Sequence, residues 1–171
     1  MKFGVIVFPG TAYEQDIYYV LKKVMGQSVE FIGHDEHRVS AYDCLVLPGG
    51  RSYGNYYRPG ALASQAPVMT AIIDYASAGG LVLGINNGFQ ILLEAGLLPG
   101  AMQLNKDLQF CCRWAHLRVE NENTPFTSRF QRKQVIRMPI AHQEGNYYAD
   151  EDTLAVLEAN RQVVLRYCTP A

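Results

Sequence analysis

Short apolar runs alternate with segments of helical periodicity in the N-terminal half of the chain, and this alternation restricts the fold more than any other feature. Four runs have the length of strands: residues 3–8, 29–32, 44–47 and 81–85. Strands that alternate with helices pair in parallel, because each helical crossover returns the chain to the same end of the sheet. The pattern therefore predicts an α/β fold, with a mostly parallel twisted sheet and helices on both faces.

The segments between these runs have the spacing and the end signals of helices. The apolar face of the first predicted helix, which Gly26 ends, comprises Tyr13, Ile17, Val20, Leu21 and Val24. A second helix begins near Pro67 and ends before Gly79, and a third covers residues 88–95.

The sequence changes character from about residue 104, where longer strand patterns replace the alternation. Residues 110–119 and 135–138 have the pattern of strands. We expect them to add antiparallel strands to the same domain. A chain of 171 residues has the length of one domain, and no linker or internal repeat is evident. The sequence therefore predicts a single domain over residues 1–171.

The composition excludes several classes of protein. Hydrophobic residues make up 49% of the chain and charged residues 18%, which is typical of a globular protein and not of a disordered one. The net charge of −1 and the lack of a basic stripe argue against a nucleic-acid partner. No apolar run approaches the ~20 residues of a membrane span, and the N-terminus does not resemble a signal peptide. We therefore expect a cytoplasmic protein with no membrane partner.

The cysteines and histidines do not predict a metal centre. Cys44, Cys111, Cys112 and Cys168 show no C-x-x-C spacing, and we expect four buried free thiols. Residues 34–37, His-Asp-Glu-His, are expected to form a solvated loop, because adjacent ligands in one short loop rarely reach tetrahedral geometry.

Two sharp turns after predicted strands are the expected places for chemistry, because ligands of open α/β sheets bind beyond the carboxyl ends of the strands. The first turn begins at Pro48 and contains Gly49, Gly50 and Arg51. Paired glycines can direct backbone N–H groups toward an anion or an oxyanion, although such a pair is more often a plain turn.

The second turn, residues 84–88, has the order strand, G-x-x-x-G, helix. This is the order of a nucleophile elbow, in which a strained central residue projects its side chain at the helix N-terminus. The central residue here is Asn86, and asparagine tolerates positive φ better than most residues. Its carboxamide, however, cannot attack an amide. On layout alone, an ordinary strand–turn–helix remains the alternative.

Several motifs, in one order along nearly the whole chain, resemble a single enzyme family. Residues 84–90, G-I-N-N-G-F-Q, are similar to the G-I-C-N-G-F-Q elbow of the glutaminase subunit of phosphoribosylformylglycinamidine synthase, a class I glutamine amidotransferase of purine biosynthesis. Residues 47–56 resemble the family's L-P-G-G-F-S-Y-G-D-Y, and residues 139–145 its P-I-A-H-G-E-G. Further similarities lie at residues 8–10, 98–101 and 124–127.

The resemblance implies a flavodoxin-like amidotransferase fold and a mechanism in which a cysteine attacks the amide of glutamine, forms a thioester and releases ammonia. It implies that the backbone N–H groups of Gly50 and Asn87 form the oxyanion hole, and that Gly49, Arg51 and Gln90 lie at the glutamine site. The ammonia would pass to a large synthetase subunit that binds ATP and formylglycinamide ribonucleotide, and a small third subunit could complete the complex. No cofactor is expected in this subunit.

Departures from the family's pattern predict a loss of turnover. Asn86 stands where the family has its nucleophilic cysteine. The other substitutions are Arg51 for an aromatic residue, Asn55 for an aspartate and Gln143 for a glycine. The family's P-H-P-E segment, with the His and Glu that activate the thiol, does not occur within the 171 residues. His142 and Glu144 match other family positions, where a loop or contact role is expected. The resemblance thus implies a glutaminase subunit by descent that is inactive in this chain.

Two other functions stay open. The chain could be a non-catalytic interaction module that docks on a synthetase without binding glutamine, or an unrelated α/β protein that binds a small anion. An aromatic and basic cluster, Tyr53, Tyr56, Tyr57 and Arg58, could contact a partner or glutamine, or could simply pack. Cys112 and His116 share one face of a predicted strand but lack an elbow, so catalysis is not expected there.

Overall fold

The four apolar runs lie side by side in one parallel sheet in a computed structural model, which describes residues 1–170. The strands are β1 (Lys2–Val7), β2 (Ser28–Gly33), β3 (Cys44–Leu47) and β4 (Leu81–Gly84), in the order β2-β1-β3-β4 across the sheet. The helices that connect them are α1 (Glu14–Tyr19) and α2 (Pro67–Ser77), and α3 (Asn87–Glu94) follows β4. The predicted α/β fold is confirmed, and the strand order is that of flavodoxin-like sheets.

Side-chain alternation along the strands builds a hydrophobic layer on each face of this sheet. Ile6 of β1 and Leu45 of β3 pack with Ile72 of α2 in one buried cluster. Val5, the neighbour of Ile6, belongs to a second buried cluster that contains Leu21 and is flanked by residues of α1. Helices therefore cover both faces of the sheet, as predicted.

The first helix differs from its prediction. After α1 the chain continues in a π-helical turn, Val20–Val24, whose wider hydrogen-bond spacing rotates the side chains relative to those of an α-helix. Leu21 is buried as predicted, but Val20, Val24 and Tyr13 are exposed. Tyr13 precedes the helix, at a φ of 69°. The prediction that these three residues belong to a buried face is therefore wrong.

The chain from residue 102 onward forms a second compact unit, distinct from the unit of residues 1–101. Its strands are β6 (Cys111–Val119) between β7 (Val135–His142) and β9 (Leu165–Cys168), and the shorter pair β5 (Ala101–Gln103) and β8 (Asn146–Tyr148). Helix α4 (Glu151–Ala159) precedes β9. β6 pairs antiparallel with both of its neighbours, which confirms the predicted antiparallel strands. That both units belong to one domain over residues 1–171 stays a prediction.

Strand β7 is longer than predicted because it continues through a proline. Pro139 lies opposite Trp114 of β6. β7 is the edge strand of its sheet, so the missing N–H of proline can face away from β6 without breaking the ladder.

The cysteines are free, as predicted, but they are not all buried. Cys44 is buried, Cys111 and Cys168 are half-buried, and Cys112 is exposed. The prediction of four buried thiols is therefore wrong for three of them, all of which lie on strands outside the two buried hydrophobic clusters. Within residues 1–170, no helix is long and apolar enough to cross a membrane, and no cluster of three or more potential metal ligands is found.

Candidate active site

The turn from β4 into α3 is tight because its two glycines allow very close approach. A Cβ on Gly88 would lie 2.0 Å from the carbonyl oxygen of Leu47, and a Cβ on Gly84 would lie 2.7 Å from Cδ1 of Leu92. Contacts this short are not found for real side chains. The glycines therefore let α3 begin directly against β3 and β4, and the strand–turn–helix predicted over residues 84–88 is present.

Asn86 occupies the centre of this turn, immediately before α3. Its backbone has φ 54° and ψ −111°, which lies outside the left-handed region that asparagine tolerates, so the conformation is strained. The residue is exposed, and its Oδ1 accepts a hydrogen bond from the Asn87 N–H at 2.9 Å. Asn86 is therefore the N-cap of α3, and its carboxamide satisfies an N–H group that the helix leaves unpaired.

The loop after β3 faces this turn and is held by the loop after β1. The Ala12 N–H donates to the Gly49 carbonyl at 2.9 Å. Gly50 has a φ of 136°, and a Cβ on it would lie 2.4 Å from the Ala12 nitrogen, so both conformation and space require glycine. A Cβ on Gly49 would lie 3.2 Å from the Cβ of Asn86. The structure thus brings the two predicted turns together.

The two backbone N–H groups predicted to form an oxyanion hole differ in their hydrogen bonding. Within residues 1–170, no acceptor is found for the Gly50 N–H. The Asn87 N–H, in contrast, is occupied by the carboxamide oxygen of Asn86. One predicted donor is therefore available to a ligand, whereas the other is engaged by the neighbouring side chain.

The side chain of Asn87 connects α3 to the loop after β3. It is fully buried; its Oδ1 accepts from the Ser52 N–H at 3.0 Å, and its Nδ2 donates to Oε1 of Gln90 at 3.0 Å. Unpairing a buried polar group costs about 1–3 kcal/mol, so these bonds hold the loop at a defined distance from the helix. Sequence reasoning assigned only the backbone of Asn87, because nothing in the local spacing points to a partner 35 residues away.

The residues predicted to bind glutamine lie in different environments. Gly49 is buried, and Arg51 is exposed beside it, with its backbone N–H donating to the Gly10 carbonyl at 2.9 Å. Gln90 is buried in α3, where its side-chain oxygen accepts the bond from Asn87. Gly49 therefore borders the turn that contains Asn86, Gln90 lies in the helix that follows this turn, and Arg51 follows Gly50 in the loop after β3. Their roles in binding stay predictions.

The aromatic and basic cluster does not act as one group. Tyr53 is half-buried, its hydroxyl lies 3.0 Å from Nδ1 of His34, and burial raises its pKa. Residues 56–57 are exposed, and Arg58 forms an ion pair with Glu94 of α3 at 2.8 Å. Tyr53 thus packs against the fold, and the two other tyrosines face solvent.

Comparison with known proteins identifies the family of this chain. Residues 1–171 match the model of a CobB/CobQ-like glutamine amidotransferase domain. The chain is 64% identical over 170 residues to phosphoribosylformylglycinamidine synthase subunit PurQ of Moorella thermoacetica, covering 99% of this chain and 72% of that protein. This chain belongs to the PurQ family. It is also 50% identical to PurQ of Aquifex aeolicus, covering 98% of this chain and 74% of that protein.

The PurQ fold is also seen in a solved structure. A chain in the structure of PurLQS from Thermotoga maritima is similar with a TM-score of 0.88 and 40% identity, covering 99% of this chain and 76% of that one. The glutaminase domain of CTPS from Trypanosoma brucei has a TM-score of 0.55 at 9% identity, which shows a shared fold alone. The predicted family and the amidotransferase fold are therefore confirmed, and the roles of individual PurQ residues stay predictions.

Proposed function

We propose that this chain is a glutamine-recognising PurQ subunit of a cytoplasmic phosphoribosylformylglycinamidine synthase, and that it does not hydrolyse glutamine. Its membership in the PurQ family supports the first part. The observation that carries the second part is Asn86, which occupies the elbow position at a strained turn and offers a carboxamide in place of a nucleophile. No cofactor takes part in this subunit.

The chemistry at position 86 explains the proposed loss of turnover. Glutamine hydrolysis through a thioester needs a group that attacks the substrate amide, and a carboxamide has neither an ionisable proton near neutral pH nor a sufficiently nucleophilic lone pair. Removing the nucleophile of a hydrolase costs on the order of 10⁶ in kcat. We therefore expect no measurable ammonia release from glutamine by this chain.

The carboxamide of Asn86 also competes with the substrate for an oxyanion donor. We assign the N–H groups of Gly50 and Asn87 to the oxyanion hole, which would stabilise the developing negative charge on the glutamine amide oxygen. Because Oδ1 of Asn86 accepts the Asn87 N–H at 2.9 Å, glutamine must displace it to use both donors. Glutamine binding should therefore be weak in the unsubstituted chain and tighter once this oxygen is removed.

Calorimetric titration of glutamine into the unsubstituted chain and into Asn86→Ala tests this competition. Release of one N–H should tighten binding roughly 2- to 12-fold, the range expected for one net hydrogen bond. Asn123→Ala, at an exposed asparagine outside the site, is the matched control and should bind like the unsubstituted chain. Absence of heat at millimolar glutamine for both the unsubstituted chain and Asn86→Ala would contradict glutamine recognition.

Restoring a thiol tests the elbow itself. In Asn86→Cys, the new thiol should react with a glutamine-like electrophile faster than Cys112, which is exposed but lies on a strand. Excess glutamine should protect the new thiol and leave Cys112 unaffected. Equal labelling of the two thiols would show that position 86 does not belong to a glutamine site.

The proposed partner is the large synthetase subunit, and a small third subunit would complete the complex. The similarity to a chain of PurLQS from Thermotoga maritima supports this assembly. Co-purification of this chain with a large synthetase subunit, PurL, tests it. Failure to associate in the presence and absence of glutamine would contradict the proposal.

A non-catalytic module that docks on the synthetase without binding glutamine is the second candidate. The observation in its favour is the occupied Asn87 N–H. This candidate is favoured over the first if the chain associates with PurL but shows no heat of glutamine binding. The same result is then expected for the unsubstituted chain and for Asn86→Ala.

A further inference from the structure

A cavity of about 370 Å³ in the second unit contains a thiol among basic side chains. Cys111 lines it together with Arg113, Lys106, His142 and Tyr167. None of these residues belongs to the glutamine site proposed above. The cavity therefore raises a separate chemical question, namely what this thiol reacts with.

Strand register brings the thiol and two basic groups to one face of the sheet. Cys111 and Arg113 are two residues apart on β6, so their side chains point to the same side. His142 of β7 lies directly opposite Cys111, and the Cβ atoms of such cross-strand pairs are about 4.5–5.5 Å apart. The imidazole is thus the cross-strand neighbour of the thiol.

The hydrogen bonds of Asn105 determine which nitrogen of His142 is basic. Nδ2 of Asn105 donates to the carbonyls of Gln109 and His142, at 2.7 and 3.0 Å, so Oδ1 is the acceptor end of the amide. This oxygen accepts from the Gly145 N–H at 3.0 Å and lies 2.9 Å from Nδ1 of His142. Nδ1 therefore carries the hydrogen. Nε2 keeps its lone pair, but it is buried and has no hydrogen-bond partner among residues 1–170, so it is not hydrogen-bonded to the Cys111 thiol.

The cavity has an excess of positive charge. Neither Arg113 nor Lys106 forms an ion pair within residues 1–170, and Asp107 is the one acidic residue that lines the cavity. Burial and the charge of Cys111 raise the pKa of Tyr167, whereas the charge of Arg113 lowers it. These effects are consistent with the three side chains being neighbours in the cavity. Reactive cysteines occur in such electropositive, partly exposed surroundings.

The other three cysteines lack this combination. Cys44 is buried, and desolvation raises the pKa of its thiol to about 11. Cys112 is exposed on the opposite face of β6, across from Ala141. Cys168 lies across from His116 on that same opposite face and does not line the cavity.

We propose that Cys111 is a modification site that forms mixed disulfides with small anionic disulfides, which Arg113 and Lys106 attract into the cavity. The thiol loses its proton to solvent. The sulfur of Cys111 then attacks one sulfur of the disulfide, whose S–S bond breaks as the protein–reagent S–S bond forms. The other sulfur leaves as a thiolate with the electron pair of the broken bond, so that it formally gains one electron and the sulfur of Cys111 loses one.

Thiol exchange rates of the full chain test the proposal. The first variant combines Cys112→Ala with Cys168→Ala, so that it retains Cys111. The matched variant combines Cys111→Ala with Cys168→Ala, so that it retains Cys112. The reagent is the dianionic bis(carboxynitrophenyl) disulfide, whose leaving thiolate is coloured. Cys111 should react ~10-fold faster than Cys112, although it is less exposed. In both variants Cys44 reports folding, because it should react only after denaturation.

Charge variants test the proposed attraction of the anion. Arg113→Gln should slow the anionic reagent by roughly 5-fold and leave a neutral dipyridyl disulfide little changed, as expected for the loss of one nearby charge. Arg137→Gln, at an arginine that stacks on Trp114, should change neither rate.

The following outcomes would overturn the proposal. One is a Cys112 that reacts with the anionic disulfide as fast as Cys111. Another is an Arg113→Gln variant that slows the neutral and anionic reagents equally.

Discussion

Replacing Asn86 by glycine and, in a second variant, by alanine tests whether the turn into α3 stores strain. At φ 54° and ψ −111°, a residue with a Cβ is disfavoured by about 1–3 kcal/mol, whereas glycine adopts such angles freely. Loss of the N-cap costs about 1 kcal/mol in the alanine variant and a few tenths in the glycine variant. Against this, glycine loses about 0.5–1 kcal/mol more conformational entropy than alanine on folding.

Together these magnitudes give Asn86→Gly a free energy of unfolding about 2 kcal/mol above that of Asn86→Ala. For a chain of this length the difference corresponds to roughly 4–8 °C in Tm. Urea unfolding followed by far-ultraviolet circular dichroism measures the free energies, and thermal scans provide the Tm values.

The same pair of substitutions at Asn123, which is exposed and does not have a positive φ, is the control. There glycine should be no more stable than alanine, because no strain is released. If Asn86→Ala is as stable as Asn86→Gly while the control pair behaves as expected, the turn is not strained and the reasoning about position 86 is refuted.

Three further predictions concern the packing of the first unit. Gly88→Ala should destabilise the chain by about 1–3 kcal/mol or more, because the new Cβ would lie 2.0 Å from the Leu47 carbonyl oxygen. Urea titration measures the loss, and a value within error of zero would contradict the packing argument. Asn87→Ala should cost about 1–3 kcal/mol by leaving a buried N–H unpaired, and a loss within error of zero would show that the side chain does not hold the loop. Burial raises the pKa of the Cys44 thiol from 9.0 to about 11, so the contribution of this thiol to stability is complete below pH 9 and is lost as the pH rises toward 11. In a variant without the other cysteines, the absorbance of the thiolate should appear near pH 11 in the folded protein and near pH 9 in urea. Titrations that coincide in the folded and unfolded protein would contradict this prediction.

Much of the first unit could be predicted from the sequence because its elements have local signals. The apolar runs of β1, β3 and β4 and the glycines that end the helices mark the parallel sheet, and G-x-x-x-G predicts the tight turn at residues 84–88. The π-helical turn of Val20–Val24 could not be predicted, because its apolar spacing is the same as that of a regular α-helix.

The candidate site could be predicted in part. Motif order pointed to Asn86, Gly50 and the backbone of Asn87, and the structure brings these turns together. The occupied Asn87 N–H could not be predicted, because it depends on the rotamer of the preceding side chain. The bond from Ser52 to Asn87 links the loop after β3 to α3, which are distant in sequence, and only folding brings them into contact.

Residue order alone thus determined the parallel sheet, the position of the turn and the chemical inability of its central carboxamide to attack an amide, since these follow from local periodicity and functional groups. Only the tertiary structure decided which N–H groups of the two turns find acceptors among residues 1–170, and that Cys111 shares a cavity with Arg113 and Lys106, which form no ion pair within that range. The physical reason is that hydrogen bonds and charge clusters depend on side chains from separate strands and loops, whose distances are set by packing.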